Sequence, residues 1–144
     1  MSDSKKKPEI AFWIIGIIAL IWNLMGVAAY LMQAYMTEED LLALPLEEQA
    51  LYADIPAWVT GAYALAVFGG ALGCILLLLR KKLATVVFII SFVSIVAQAS
   101  YNIFMSSASE VYGPAAFIMP VMVIIIAAFL IWYSKKKESQ GILS

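Results

Sequence analysis

Four apolar stretches, 10–32, 57–79, 83–105 and 114–133, divide the chain, each 20 to 23 residues long with no internal Lys, Arg, Asp or Glu. About 20 such residues carry a helix across the hydrocarbon core of a bilayer. Barrel strands alternate in polarity and stop near ten residues. Backbone in lipid must satisfy its own hydrogen bonds. The pattern therefore predicts an all-α integral membrane protein: one domain, 1–144, folded as an antiparallel bundle of four transmembrane helices.

The polar positions inside these spans are ordered. In the first, Gly16, Ala19, Asn23, Gly26, Tyr30 and Gln33 follow at steps of 3, 4, 3, 4 and 3, which puts them on one helix face. In the third, Val87, Ser91, Ser94, Gln98, Tyr101 and Met105 follow at steps of 4, 3, 4, 3 and 4, with Asn102 four residues after Gln98. Asn23 and Gln98 stand ~20 and ~22 Å along their helices at 1.5 Å per residue, so they are expected at similar depth and within reach of one another. The second span carries Thr60 and Tyr63 at one end, then Ala62, Ala66, Gly70 and Cys74 on one face. Gly69 and Gly73 form a GxxxG pair, expected to serve close packing within the chain rather than dimerisation. The fourth span has no strongly polar residue in its core. It is expected to face lipid or to dock through alanines, with a kink at Pro120.

Between the first two spans lies the longest connection, 33–56. Thr37 is placed to cap a helical turn, with Glu38, Glu39 and Asp40 at its positive end. Pro45 suits the start of a second short helix running to about Tyr52. Leu41, Leu42, Leu44, Leu46 and Leu51 are too many for a solvated loop, so this is an acidic, broken amphipathic segment at the bundle's outer end or the interface. It lacks the glycine and the alternating Asp/Asn of an EF-hand, and no metal is expected. The turn at 80–82 makes the second and third spans neighbours. Residues 106–113 form a short loop ending in a Gly-Pro turn, and 1–9 and 134–144 have the composition of polar tails.

Charge supplies the orientation. All nine basic residues fall in Lys5–Lys7, Arg80–Lys82 and Lys135–Lys137, which four crossings place on one side together with Asp3, Glu9 and Glu138. The other side holds seven acids and no Lys or Arg. This asymmetry predicts both termini in the cytoplasm. Lys5–Lys7 before an apolar run resembles a signal peptide, but 23 residues exceeds a typical signal core, so the helix is expected to be retained. Trp58 at one boundary and Trp13, Trp132 and Tyr133 near the other form an aromatic belt.

Composition agrees, with 64% hydrophobic and 13% charged residues and a mean hydropathy of +0.93. It also narrows the chemistry. Histidine is absent, which removes the usual general base and metal ligand. The single cysteine, Cys74, cannot form an internal disulfide or a CxxC pair. No nucleophile triad or phosphate loop is found. Neither an enzyme nor a cofactor is expected, and no nucleic-acid partner. Small multidrug exporters carry a membrane-embedded glutamate on the first helix, and this chain has none. Claudin-like tetraspans carry a W-x-x-G-L-W with paired cysteines, also lacking.

The segments "WNLMGVAAYLMQAYMT", "LYADIPAWVTGAYALAVFGGALG", "AQASYNIFMSSASEVYGPAAFIMPVMV" and "IWYSKKK" together resemble a family of short four-span bacterial membrane proteins often labelled generically as sugar transporters. The likeness extends over nearly the whole chain. It implies solute transport and a place in the bacterial inner membrane, and carries over no defined binding residues.

From the residues themselves, Asn23, Tyr30, Gln33, Tyr63, Gln98, Tyr101 and Asn102 cluster in the outer half. Amides and tyrosines suit a neutral hydroxylated solute, and these seven are the candidate binding set. The alternative is a structural or accessory subunit in which they bond one another and only pack helices. Four helices enclose little volume, so a conduction path calls for a homo-oligomer or a larger membrane complex.

Overall fold

The computed structural model describes residues 7–53, 55–105, 110 and 113–144. Among these the chain is helical, without strands: α1 (Ile10–Ala34), α2 (Glu38–Leu42), α3 (Leu46–Ala53), α4 (Ala57–Leu78), α5 (Leu83–Ser100) and α6 (Ile118–Ser139). A π-helical turn, Tyr101–Met105, prolongs α5, and a 3-10 turn, Gly113–Phe117, leads into α6. Four helices, α1, α4, α5 with its extension, and α6, are long and apolar enough to cross a membrane. This is the architecture of a multi-pass membrane protein.

α4 packs between α1 and α5, and α5 between α4 and α6. Facing pairs give the directions. Gly16 meets Leu78 and Gly26 meets Val67 across α1 and α4, whereas Gly69 meets Ser91 and Gly73 meets Phe88 across α4 and α5. Thr85 bonds Ser134 across α5 and α6. Neighbours therefore run in opposite directions. The GxxxG glycines are used inside the chain: a methyl group at Gly73 would lie 2.6 Å from the Phe88 ring.

The best-packed region is at the end carrying the basic turn 80–82. There Phe12, Cys74, Leu77, Ala84, Phe88, Leu130 and Tyr133 form one buried cluster. The Phe12 and Tyr133 rings stack with centroids 6.4 Å apart, which brings α1 and α6 together. At the opposite end, Thr37 caps α2 as expected. Its hydroxyl accepts from the Asp40 N–H at 3.1 Å, and the Asp40 carboxylate accepts from the Thr37 N–H at 3.2 Å. The Pro45 carbonyl accepts from the N–H groups of Glu48 and Gln49 at the start of α3. The Gln49 side chain donates to the Leu44 carbonyl at 2.7 Å, tying α3 to the preceding turn.

Two expectations need correction at the chain's end. The stretch 134–144 is not a polar tail: α6 continues through the lysines to Ser139 and ends in a Schellman motif. Gly141 adopts φ +78°, its N–H bonds the Glu138 carbonyl, and the Ile142 N–H bonds the Lys137 carbonyl. The reversal drives Ile142 and Leu143 into the apolar cluster, with Leu143 only 2% exposed. Arg80 Nε then donates to the Ile142 carbonyl at 3.1 Å. Ser144 exchanges backbone bonds with Arg80 and Lys82. The lysine-rich composition concealed two apolar residues that only a glycine turn could fold back. Pro120, in turn, makes no mid-helix kink. It lies in the first turn of α6, where a missing N–H leaves no intrahelical bond unmade.

The expected loop at 106–113 and the first lysine cluster fall largely outside the described residues.

Candidate functional site

Away from the aromatic contact of Phe12 with Tyr133, α1 and α6 flank a cavity of about 350 Å³. Small-molecule sites begin near this volume. Trp22, Met25 and Gly26 from α1 and Met119, Pro120 and Val123 from α6 form its two sides. Its floor comes from Tyr63, Ala66 and Val67 of α4, and its inner wall from Ile95, Gln98 and Asn102. None of its lining residues is ionisable except Tyr63. Gly26 and Ala66, small residues of the predicted stripes, line the cavity as well as allowing helix approach, and Ala29 joins them.

A second cavity of about 230 Å³ lies farther toward α3 and shares Tyr63, Gln98 and Asn102 with the first. Gln33, Thr60 and Tyr101 also line it. A third, of about 460 Å³, shares Gln33, Tyr52 and Thr60 with the second and is bordered by Tyr30, Thr37 and Glu38. The three cavities thus follow one another from the helix interior to the acidic segment, and their walls become more polar along the way.

All seven predicted residues line this series, but they play unequal parts. Asn23 and Gln98 share the first cavity without bonding each other among the described residues. Asn23 instead donates to the Ala19 carbonyl at 2.8 Å and to Cys74 Sγ at 3.4 Å. It is fitted against Gly70, where a methyl group would overlap its amide oxygen. Its nitrogen therefore serves helix packing. The Gln98 side chain makes no hydrogen bond among the described residues, and it borders both the first and second cavities. No buried side-chain nitrogen or oxygen is left unsatisfied among these residues, so the Gln98 amide is open to the cavity space. An amide in apolar surroundings gains roughly 1–3 kcal/mol from a bonding partner.

Tyr63 stands between the cavities, with its ring edge-on to Tyr30 at 5.2 Å. Tyr30 is consequently kept to the third cavity. Tyr101 is edge-on to Trp58 at 6.0 Å and reaches only the second. It shares that cavity with Gln33 of the first-span face. A π-helical turn begins at Tyr101, where the regular period of α5 ends. Such wide turns recur at functional positions in helices. Gln98 and Asn102, four residues apart, line the same two cavities.

Sequence reasoning missed Tyr52, which reaches the second and third cavities from α3, and the α6 side at Met119 and Val123. Tyr52 is the only aromatic in α3, a usable signal. The apolar α6 residues carried none. Comparisons with protein-family models, curated proteins and solved structures find no match to this chain.

Proposed function

We propose that the protein is a small transporter-type membrane protein that binds a neutral, hydrogen-bonding solute, sugars among them, in the cavity series between α1 and α6. The observation that carries this reading is the Gln98 amide, which has no hydrogen-bond partner among the described residues and borders a cavity of about 350 Å³. Tyr63 and Asn102 supply further polar groups on the same walls. The lining offers no Asp, Glu, Lys or Arg in the first cavity, which favours an uncharged ligand. The lysine asymmetry of the sequence supports both termini in the cytoplasm, with the acidic segment and the polar mouth facing outward, and the resemblance to short four-span bacterial proteins supports an inner-membrane location. The small enclosed volume favours work as a homo-oligomer or as a subunit of a larger complex.

The second reading, an accessory subunit that transports nothing, is favoured by Asn23, whose donors are engaged in helix contacts. Uptake into proteoliposomes decides between them. Wild-type protein is expected to pass at least one neutral solute from a panel of sugars and polyols, with flux reduced in Gln98→Leu. Absence of flux from folded protein across the panel would leave the accessory role.

A further inference from the structure

We infer that the ligand is an uncharged amphiphile that enters sideways from the bilayer, its apolar chain between α1 and α6 and its hydroxylated head at Gln98. This rests on the binding reading above and gives it a ligand class. The first observation is depth. Gln98 stands about 22 Å from the start of α5 at 1.5 Å per residue, inside a hydrocarbon layer about 30 Å thick. A gap between helices at that level faces acyl chains and not water.

The second is the composition of the gap. Its edges are Trp22 and Met25 on one side and Met119 and Val123 on the other, all apolar. Met25 is 62% and Met119 58% exposed, so these edges stand at the protein's outer surface. Methionine adapts its shape to varied apolar occupants at such surfaces. Toward the basic end the gap narrows to a pocket of about 20 Å³ lined by Phe88, Ile126, Ala127 and Leu130. It is closed beyond by the stacked Phe12 and Tyr133.

The third is the gradient. From Leu130 to Gln98 the walls are mainly apolar. From Gln98 onward they carry Asn102, Thr60, Gln33 and Tyr52. A free sugar would leave the apolar half of this path without a partner. A single-chain lipid with a neutral hydroxylated head matches both halves, in the orientation it already has within a leaflet.

The test uses a full chain keeping Trp22 as sole tryptophan (Trp13, Trp58 and Trp132→Phe) in phosphatidylcholine nanodiscs. The probe is a monoacylglycerol brominated in mid-chain, a short-range quencher. The expected result is saturable quenching of Trp22, reversed by unbrominated monoacylglycerol and not by the methyl ester of the same acid. Gln98→Leu should weaken it about tenfold, the effect of losing one good hydrogen bond. Val123→Phe, which narrows the gap, should weaken it independently. Quenching that is linear in probe and equal for the ester, as in a chain keeping only Trp132, would overturn the inference. Gln98-dependent sugar flux without saturable quenching would retain the solute reading and remove the amphiphile. Loss of both in folded protein would remove both.

Discussion

The Asn23 amide of α1 occupies the space that a side chain at Gly70 of α4 would fill, and it bonds Cys74 one turn further along the same helix. Polar glue and small-residue packing are thus a single contact. Gly70→Ala should destabilise the protein by about 1–3 kcal/mol through overpacking. Asn23→Ala in the same chain should recover part of that loss, although alone it is also destabilising. A double-mutant cycle from reversible unfolding in mixed micelles checks this, and strict additivity would count against the interlock.

Asn23 and Gln98 should separate in phenotype. Asn23→Leu removes a packing bond and introduces a branched chain beside Gly70, so thermal stability falls. Gln98→Leu removes no hydrogen bond among the described residues, and stability should stay within about 1 kcal/mol while ligand binding weakens about tenfold. Melting temperature and binding measured on both variants make the comparison.

The reversal at Gly141 should be sensitive to any side chain. Gly141→Val forces a branched residue into φ +78°, costing roughly 1–2 kcal/mol in the turn. Release of Ile142 and Leu143 follows. Hydrogen exchange should then show the Ile142 and Ser144 amides losing protection, while α4 and α5 keep theirs.

Thr85 and Ser134 are both buried, and the Thr85 hydroxyl donates to the Ser134 oxygen at 3.0 Å. Bonds of this kind between membrane helices are worth roughly 0.6–2 kcal/mol. Thr85→Val keeps the shape and removes the donor, so the unfolding free energy should drop by that amount. Ser91, which donates to the Ala66 carbonyl at 2.6 Å, offers the matched case on the α4–α5 side.

Cys74 is fully buried among Phe12, Leu77 and Phe88. Maleimide should leave it unmodified in folded protein and label it completely after denaturation. Mass spectrometry reads both states. Rapid labelling of the folded chain would contradict the packing at the basic end.

The candidate site was only partly legible in the chain. Periodicity placed Gly16, Ala19, Asn23, Gly26, Tyr30 and Gln33 on one face, and all six are buried or half-buried. Periodicity reports which way a residue points and not what it meets there. Asn23 and Gln98 have the same signal and line the same cavity, yet one bonds its own helix and a thiol while the other's amide is left open to that cavity. Beyond Ser100 the π-helical turn departs from the period that the stripe assumes, so the stripe says least about that end of the helix.

Length and the absence of charge determined the four membrane-length helices, because backbone in lipid must bond itself and runs this long and unbroken do not suit barrel strands. Lysine placement likewise follows from the chain alone, as does capping at Thr37, which depends on contacts three residues apart. The tertiary structure decided the rest. It joined α1 to α6 at Phe12 and Tyr133 and left them apart at Met25 and Met119. It also turned Leu143 back into the buried cluster that holds Leu77. These outcomes rest on side-chain volumes meeting across distant segments, and in chains this uniformly apolar, hydrophobicity cannot distinguish a residue that faces a neighbour from one that faces lipid.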